Sequence, residues 1–333
     1  MQNSLSFDDV LLEPKYSDIK SRNEVDIGSY LSETAYLELP VISSPMDTVT
    51  ESEMSYTMYD EGGLGIIHRY NTIEEQVLLV KKAAVFTAAA IGVTGDFEAR
   101  ACALWDAGAR YLCLDVAHGH HALVKDALKT MRNVFGNEVH LMAGNVATLE
   151  AFNDLADWGA NSIRVGIGGG SICSTRINTG HGVPTFQSIK DCSYSDRDAK
   201  IIADGGIKNS GDIVKALAAG ADFVMLGSML AGTDESPGEI FTSGNKKYKV
   251  YRGMASRSAQ MDWRGQSSSP EGISTTIPYK GPVVDILRDI AGNVRSGLSY
   301  TGARTLEELQ LKATFLRQTS AGQHESSTHI LRR

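Results

Sequence analysis

Between residues 166 and 176 the chain reads GIGGGSICSTR: Gly166, Gly168, Gly169 and Gly170 precede Ser171, Cys173 and Thr175. A flexible loop of this kind presents a thiol and hydroxyls to whatever binds against it, which makes Cys173 a nucleophile candidate. Cys102, Cys113 and Cys192 read instead as small buried hydrophobes. Two more glycine clusters carry chemical meaning, Gly205 with Gly206 after Asp204, and Gly227 before Ser228. Without a Cβ, backbone N–H groups there are open to an anion, so a phosphorylated ligand is expected. Together these residues describe covalent attack by a thiol on a molecule held by its phosphate.

The elements that must position them are short apolar runs ending in Gly, Ser, Asp or Asn. In order they are residues 39–44, 63–67, 88–93, 111–116, 139–144, 162–167, 200–205 and 223–227. Such runs read as strands buried on both faces. Helix signals lie between them, starting at Thr72, Asp96, Thr148 and Ser210. Strand and helix alternating eight times predicts an α/β fold, a (β/α)8 or TIM barrel. A doubly wound sheet in two domains ranks below it, because no linker divides the units and no GxGxxG follows the first strand.

In a barrel the active site lies at the carboxyl ends of the strands. Those ends supply Ser44, Pro45, Met46 and Asp47, then His68, Asp115, Asn145, the Gly166 loop, Asp204 to Gly206, and Gly227 with Ser228. Residues 240–280 break the rhythm: FTSGNKKYKVYRGM reads as a hairpin, and the polar stretch 255–272 as an irregular, mobile flap. Residues 281–317 return to a helical pattern, and the polar tail from Ser320 is expected to be frayed or docked.

Composition narrows the function classes. With 333 residues, 42% hydrophobic and 22% charged, the chain suits one large barrel, and a net charge of −8 argues against a nucleic-acid scaffold. No basic and apolar leader or long apolar window appears, so no membrane association and a cytoplasmic location are expected. Four widely spaced cysteines without a CxxC pair argue against disulfides or structural zinc.

Several longer motifs carry a family resemblance. FDDVLLEP near the start, SSPMDTVTES at 43–52, DVAHGH at 115–120, AGNVAT at 143–148, GIGGGSICSTR at 166–176, ADGGIKNSGDI at 203–213, LGSMLAGTDESPGE at 226–239 and YRGM at 251–254 resemble the IMP dehydrogenase and GMP reductase family over nearly the whole chain. The resemblance implies a purine nucleotide oxidoreductase in which Cys173 attacks C2 of a purine nucleoside monophosphate, with Thr175 beside it. Ser171, Asp204, Gly206, Gly227, Ser228 and Tyr251 would hold phosphate and ribose, and Ser44, Met46, Gly253, Met254 and Glu271 would frame the base. Asp115, Arg164 and Gly166 match dinucleotide contacts, for NAD in a dehydrogenase or NADP(H) in a reductase. Gly168, Gly170 and Cys173, with Glu325 from a neighbouring subunit, match a potassium site, which implies a homotetramer or octamer.

The motifs favour the dehydrogenase: SSPM, Gly227-Ser228, YRGM, EGISTTIPYKGPV at 271–283 and SAGQHES at 320–326 are dehydrogenase-like. Two departures stand against it. The CBS modules usual in dehydrogenases have no counterpart, since the helix from Thr72 runs straight to the third strand. The Arg-Tyr pair that activates water is replaced by Asp262-Trp263-Arg264-Gly265-Gln266. The reductase's Glu, expected three residues after Met254, is Arg257. Arg264, with Arg257 second, is therefore the expected water-activating group. GMP reductase and a hydrolysis-impaired nucleotide-binding relative remain the alternatives.

Overall fold

The computed structural model describes residues 3–326. Residues 327–333 of the C-terminal tail lie outside the described residues. Eight parallel strands close into a barrel: β1 Val41–Ser43, β2 Leu64–Ile67, β3 Ala88–Ile91, β4 Tyr111–Asp115, β5 His140–Val146, β6 Ser162–Val165, β7 Lys200–Asp204 and β8 Phe223–Leu226. Each falls within or overlaps one of the apolar runs. The sheet closes where β8 pairs with β1, Val224 opposite Val41. Most strand residues are buried on both faces, which is why the sequence runs are continuous rather than alternating.

Helices α1 Ser52–Asp60, α2 Ile73–Ala83, α3 Phe97–Asp106, α4 Ala122–Phe135, α5 Leu149–Asp157, α6 Thr175–Thr179, α7 Thr185–Cys192 and α8 Ser210–Ala218 connect the strands. The start of α2 shows how the sequence sets them. Thr72 Oγ1 accepts the Glu75 N–H at 3.2 Å while the Glu75 carboxylate accepts the Thr72 N–H at 2.9 Å. Its buried Gln76 then donates to the carbonyls of Ile67 and Ala90 at 3.4 and 2.8 Å, tying the helix to β2 and β3. Only residues 84–87 separate α2 from β3.

Inside the barrel Ile42, Leu64, Ile66, Cys113, Met142, Ile202, Phe223 and Met225 form one packed cluster, so the barrel is plugged and its open end is the strands' carboxyl end. A second cluster between strands and helices includes Leu112, Leu114, Phe152, Phe186 and Leu217. Each such side chain is worth about 1.5–3 kcal/mol on burial.

The flap contains a three-stranded sheet, β9 Phe241–Ser243, β10 Lys246–Arg252 and β11 Ser274–Pro278, with the expected hairpin turning at Gly244. The polar stretch differs from expectation, because Arg257–Arg264 form helix α9. Ser256 caps it by accepting the Ala259 N–H, and Gly265 ends it at φ +69°. Arg252 fastens it, pairing with Asp262 on α9 and with Asp47 beyond β1. Beyond the flap come α10 Val283–Thr301 and α11 Leu306–Lys312. Phe315–Arg317, expected to be helical, instead pairs antiparallel with Val10–Leu12. The tail continues as α12, Ser320–Glu325.

Candidate active site

A cavity of about 590 Å³ opens at the carboxyl end of the barrel. The loop after β6 lies across it, and its shape depends on one glycine. Gly166 has φ +149°, and a Cβ there would stand 1.8 Å from the carbonyl oxygen of Asp204. The flap then holds the stretch around Cys173: Ile273 N–H donates to the Ile172 carbonyl at 3.0 Å, and Ser174 N–H to the Glu271 carbonyl at 2.9 Å.

A directed hydrogen-bond chain leaves the thiol. Cys173 Sγ donates to Thr175 Oγ1 at 3.2 Å, and Thr175 Oγ1 donates to Glu271 Oε2 at 2.7 Å. A carboxylate thus sits one hydroxyl away from the thiol, placed to take or return a proton. The motifs place Glu271 beside the base and leave no glutamate at position 257; the structure brings Glu271 against Thr175. Glu271 is 96 positions from Thr175, and only the flap fold brings them together. Arg257 is exposed and does not line the cavity, whereas Arg264 does, its guanidinium 4.2 Å from the Trp263 ring centroid. Arg264 is exposed and stands at the mouth on α9.

The expected phosphate end is assembled from β7, β8 and β10. Gly205, Gly206, Ile207, Gly227 and Ser228 line the cavity there. The backbone N–H groups of Gly206, Ile207, Ser228 and Met229 find no acceptor among the described residues. A Cβ on Gly227 would stand 3.1 Å from the Tyr251 hydroxyl, 3.4 Å from Met46 Sδ and 3.6 Å from Ser44 Oγ, so these residues converge on one point. Burial raises the Tyr251 phenol above its ordinary pKa, against the opposing effect of hydrogen bonding with Ser171. The hydroxyl stays protonated at neutral pH and can donate to an anion. Ser171, Gly253 and Met254 line the same cavity.

Beneath the ligand space lies an ionic floor. Arg164 Nη1 donates to Asp115 Oδ1 at 2.6 Å and Nη2 to Asp204 Oδ2 at 2.9 Å. Asn145 Nδ2 also donates to Asp204 Oδ2, at 2.8 Å, which leaves Asp204 Oδ1 for a ligand hydroxyl. Arg69 and Tyr70 complete the floor: Tyr70 donates to Asp115 Oδ2 at 3.3 Å and Arg69 Nε stands 3.7 Å from the same oxygen. Burial opposes the Asp115 charge, yet Arg164 and Arg69 outweigh it and hold its pKa below the ordinary value. Arg164 is correspondingly raised well above its own despite burial, chiefly by Asp204.

The cavity gathers Ser44, Met46, Asp115, Arg164, Gly166, Gly168, Gly170, Ser171, Cys173, Thr175, Asp204, Gly206, Gly227, Ser228, Tyr251, Gly253, Met254, Arg264 and Glu271. It does not gather Glu325, which is exposed on α12. Of two other strand-end residues, His68 is buried against Glu51 at 3.1 Å, and Asp47 pairs with Arg252 through Oδ2 while its buried Oδ1 has no partner. Cys113 and Cys192 are buried as expected, with thiols pushed up to about 11 and about 12 mainly by desolvation. Cys102 is only half-buried on α3, a correction to its reading as a core residue. Arg69, Tyr70, Gln260 and Trp263 line the cavity without having been singled out as ligand contacts. The only signal for the first two was their position just after the second strand.

Four buried polar atoms of cavity residues, Arg69 Nε, Asn145 Oδ1, Thr185 Oγ1 and Trp263 Nε1, have no hydrogen-bond partner. Arg69 Nε and Trp263 Nε1 lie with the Tyr70 and Trp263 rings, whose centroids are 5.2 Å apart, and fit a polar, planar molecule such as a nicotinamide. For a cation, the carbonyls of Gly168 and Cys173 accept no hydrogen bond among the described residues, and that of Gly170 accepts only the Cys173 N–H at 3.1 Å. This fits a carbonyl-lined monovalent ion.

The model of the IMP dehydrogenase / GMP reductase domain matches residues 4–329. The chain belongs to that family. It is 35% identical to inosine-5'-monophosphate dehydrogenase of Nitrosopumilus maritimus, over 98% of this chain and 98% of that protein. It is 32% identical to GMP reductase of Leishmania major, over 99% and 97% respectively. Among solved structures, a cysteine-to-alanine variant of GMP reductase from Trypanosoma brucei in complex with guanosine 5'-monophosphate superposes with a TM-score of 0.94, at 30% identity, over 99% of this chain and 98% of that one. The protein is thus a purine nucleotide oxidoreductase on a TIM barrel, from a family whose members use NAD(P). No helix among the described residues is long and apolar enough to cross a membrane.

Proposed function

We propose that this enzyme oxidises IMP to XMP with NAD through a covalent adduct on Cys173. The observation that carries the reading is the Cys173, Thr175 and Glu271 chain in one cavity with the phosphate end. The thiol proton passes through Thr175 to Glu271, and the thiolate adds to C2 of the purine. Hydride then leaves C2, for which the dinucleotide supplies a two-electron acceptor, and the C–S bond remains. Glu271 releases that first proton to solvent; water then adds to C2, giving its proton through Thr175 to Glu271, and the C–S bond breaks to return the thiolate. The balance is IMP, water and NAD⁺ giving XMP, NADH and one proton. Gly206, Gly227, Ser228, Ser171 and Tyr251 would anchor the phosphate, and Asp204 would accept from the ribose hydroxyls. Asn145, Asp115, Arg164 and Gly166, with Trp263 and Tyr70, would hold the dinucleotide. Arg264, on the exposed edge, would favour developing hydroxide by its charge.

The same chain supports a second reading, because it runs equally well in reverse. Glu271 and Thr175 can hand a proton to an amine leaving C2, as conversion of GMP to IMP and ammonia with NADPH requires. Absorbance of the reduced dinucleotide decides between them. Steady NADH formation from IMP and NAD supports the dehydrogenase, and NADPH consumption with ammonia release from GMP refutes it. A single turnover of NADH with no steady rate would identify the hydrolysis-impaired alternative.

Potassium bound by the carbonyls of Gly168, Gly170 and Cys173, with Glu325 contributed by a second copy, would fix the loop in its reactive shape. Such sharing of a residue supports a homotetramer or octamer. Activity unchanged when potassium is replaced by a large organic cation would refute the site.

A further inference from the structure

The loop after β8 is held from behind by two lysines of the flap. Lys280, just beyond β11, donates from Nζ to the carbonyls of Ser228 at 2.5 Å and Met229 at 3.1 Å. Lys249 on β10 is 3% exposed and donates to the carbonyls of Thr233 at 2.8 Å and Ser236 at 2.5 Å, with Asp234 at 3.4 Å. Both ammonium groups therefore meet the carbonyl side of residues 228–236. In a planar trans peptide the C=O and N–H point in opposite directions. Anchoring the Ser228 carbonyl on Lys280 turns the Met229 N–H the other way, and that N–H has no acceptor among the described residues. A cation on the carbonyl also polarises the peptide and strengthens its N–H as a donor.

We propose that Lys280 is a positioning residue for the substrate's phosphate: it never touches the ligand, but orients and polarises the Ser228–Met229 peptide that does. The proposal rests on reading the ligand as a nucleoside monophosphate. It also gives the flap a second task, since one segment carries Glu271 to the thiol at its start and Lys280 to the phosphate loop at its end. Selectivity for nucleotide over nucleoside would then depend on a side chain outside the cavity.

The test is calorimetric titration of wild type, Lys280→Met and Lys280→Arg with IMP and with inosine, alongside thermal denaturation and kcat at saturating substrate. The expected result is IMP binding weakened about tenfold in Lys280→Met, the size of one charge-assisted hydrogen bond. Inosine affinity and kcat should stay within about twofold, and Lys280→Arg should restore most of the loss. Unchanged IMP affinity in Lys280→Met overturns the proposal, as does an equal loss for IMP and inosine, which would mark general damage to the loop. Wild type that binds inosine as tightly as IMP overturns the nucleotide reading itself, and the proposal with it.

Discussion

Replacing Glu271 by Gln separates proton transfer from architecture. The amide can still accept from Thr175 Oγ1 across the present 2.7 Å, and the hydrogen bonds from Ser174 N–H and to the Ala255 carbonyl are made by the backbone of residue 271. The fold and cavity shape should survive, with stability changed by no more than about 1 kcal/mol. What is lost is a base. General acid–base catalysis is worth about 10²–10⁴-fold, so steady turnover should fall by that factor, equivalent to about 3–5 kcal/mol of barrier. Rapid mixing with IMP and NAD should show where the loss falls. If Glu271 serves chiefly the hydrolytic step, Glu271→Gln gives a first-turnover burst of NADH near one per active site, followed by a slow steady rate. A steady rate like that of the wild type would refute the relay. Burst and steady rate falling equally would move its role to thiolate formation.

Two further predictions concern the buried charges. Arg164→Met leaves Asp115 and Asp204 buried without their main cation, and should cost about 3–5 kcal/mol in urea unfolding at neutral pH. Because Asp115 is depressed below its unfolded value near 3.9, its stabilisation is full above that pH and fades as pH falls through the folded value, so the difference between the two proteins should shrink in acid. A constant difference would contradict this. His140, buried against Ser162 at 2.9 Å, has its pKa pushed down to about 3 by desolvation and then by Arg132. The unfolded chain takes up a proton near pH 6.5 that the folded chain refuses, so stability is full above that pH and falls by about 1.4 kcal/mol per unit below it. His140→Gln should flatten the slope between pH 6.5 and 5 by about that amount per unit, and an unchanged slope would place the acid sensitivity elsewhere.

The barrel was legible because strands buried on both faces leave continuous apolar runs, and because caps such as Thr72 with Glu75 mark helix starts locally. The Gly166 loop and the Gly205–Gly206 and Gly227 clusters stood out because glycines gather there at strand ends, although a glycine after a strand is often only a turn. Helix α9 was not legible, since its eight residues are mostly polar and bury only Ala259 and Gln260, although Ser256 and Gly265 bracket it as cap and stop. The Thr175 and Glu271 pair was beyond local reading, because it depends on β11 carrying the flap back over the loop. Arg264, which shares a stretch with the motif it replaces, lines the cavity from its exposed edge. Arg164 matches a dinucleotide contact by motif, but its hydrogen bonds to Asp115 and Asp204 could be seen only in the structure.

Mass spectrometry of enzyme quenched in acid during turnover with IMP and NAD tests covalent catalysis most directly. The account predicts a nucleotide adduct on the peptide containing Cys173, accumulating in Glu271→Gln, and neither adduct nor turnover in Cys173→Ala, which should still bind IMP because the phosphate contacts lie elsewhere. Steady NADH production by Cys173→Ala would contradict it.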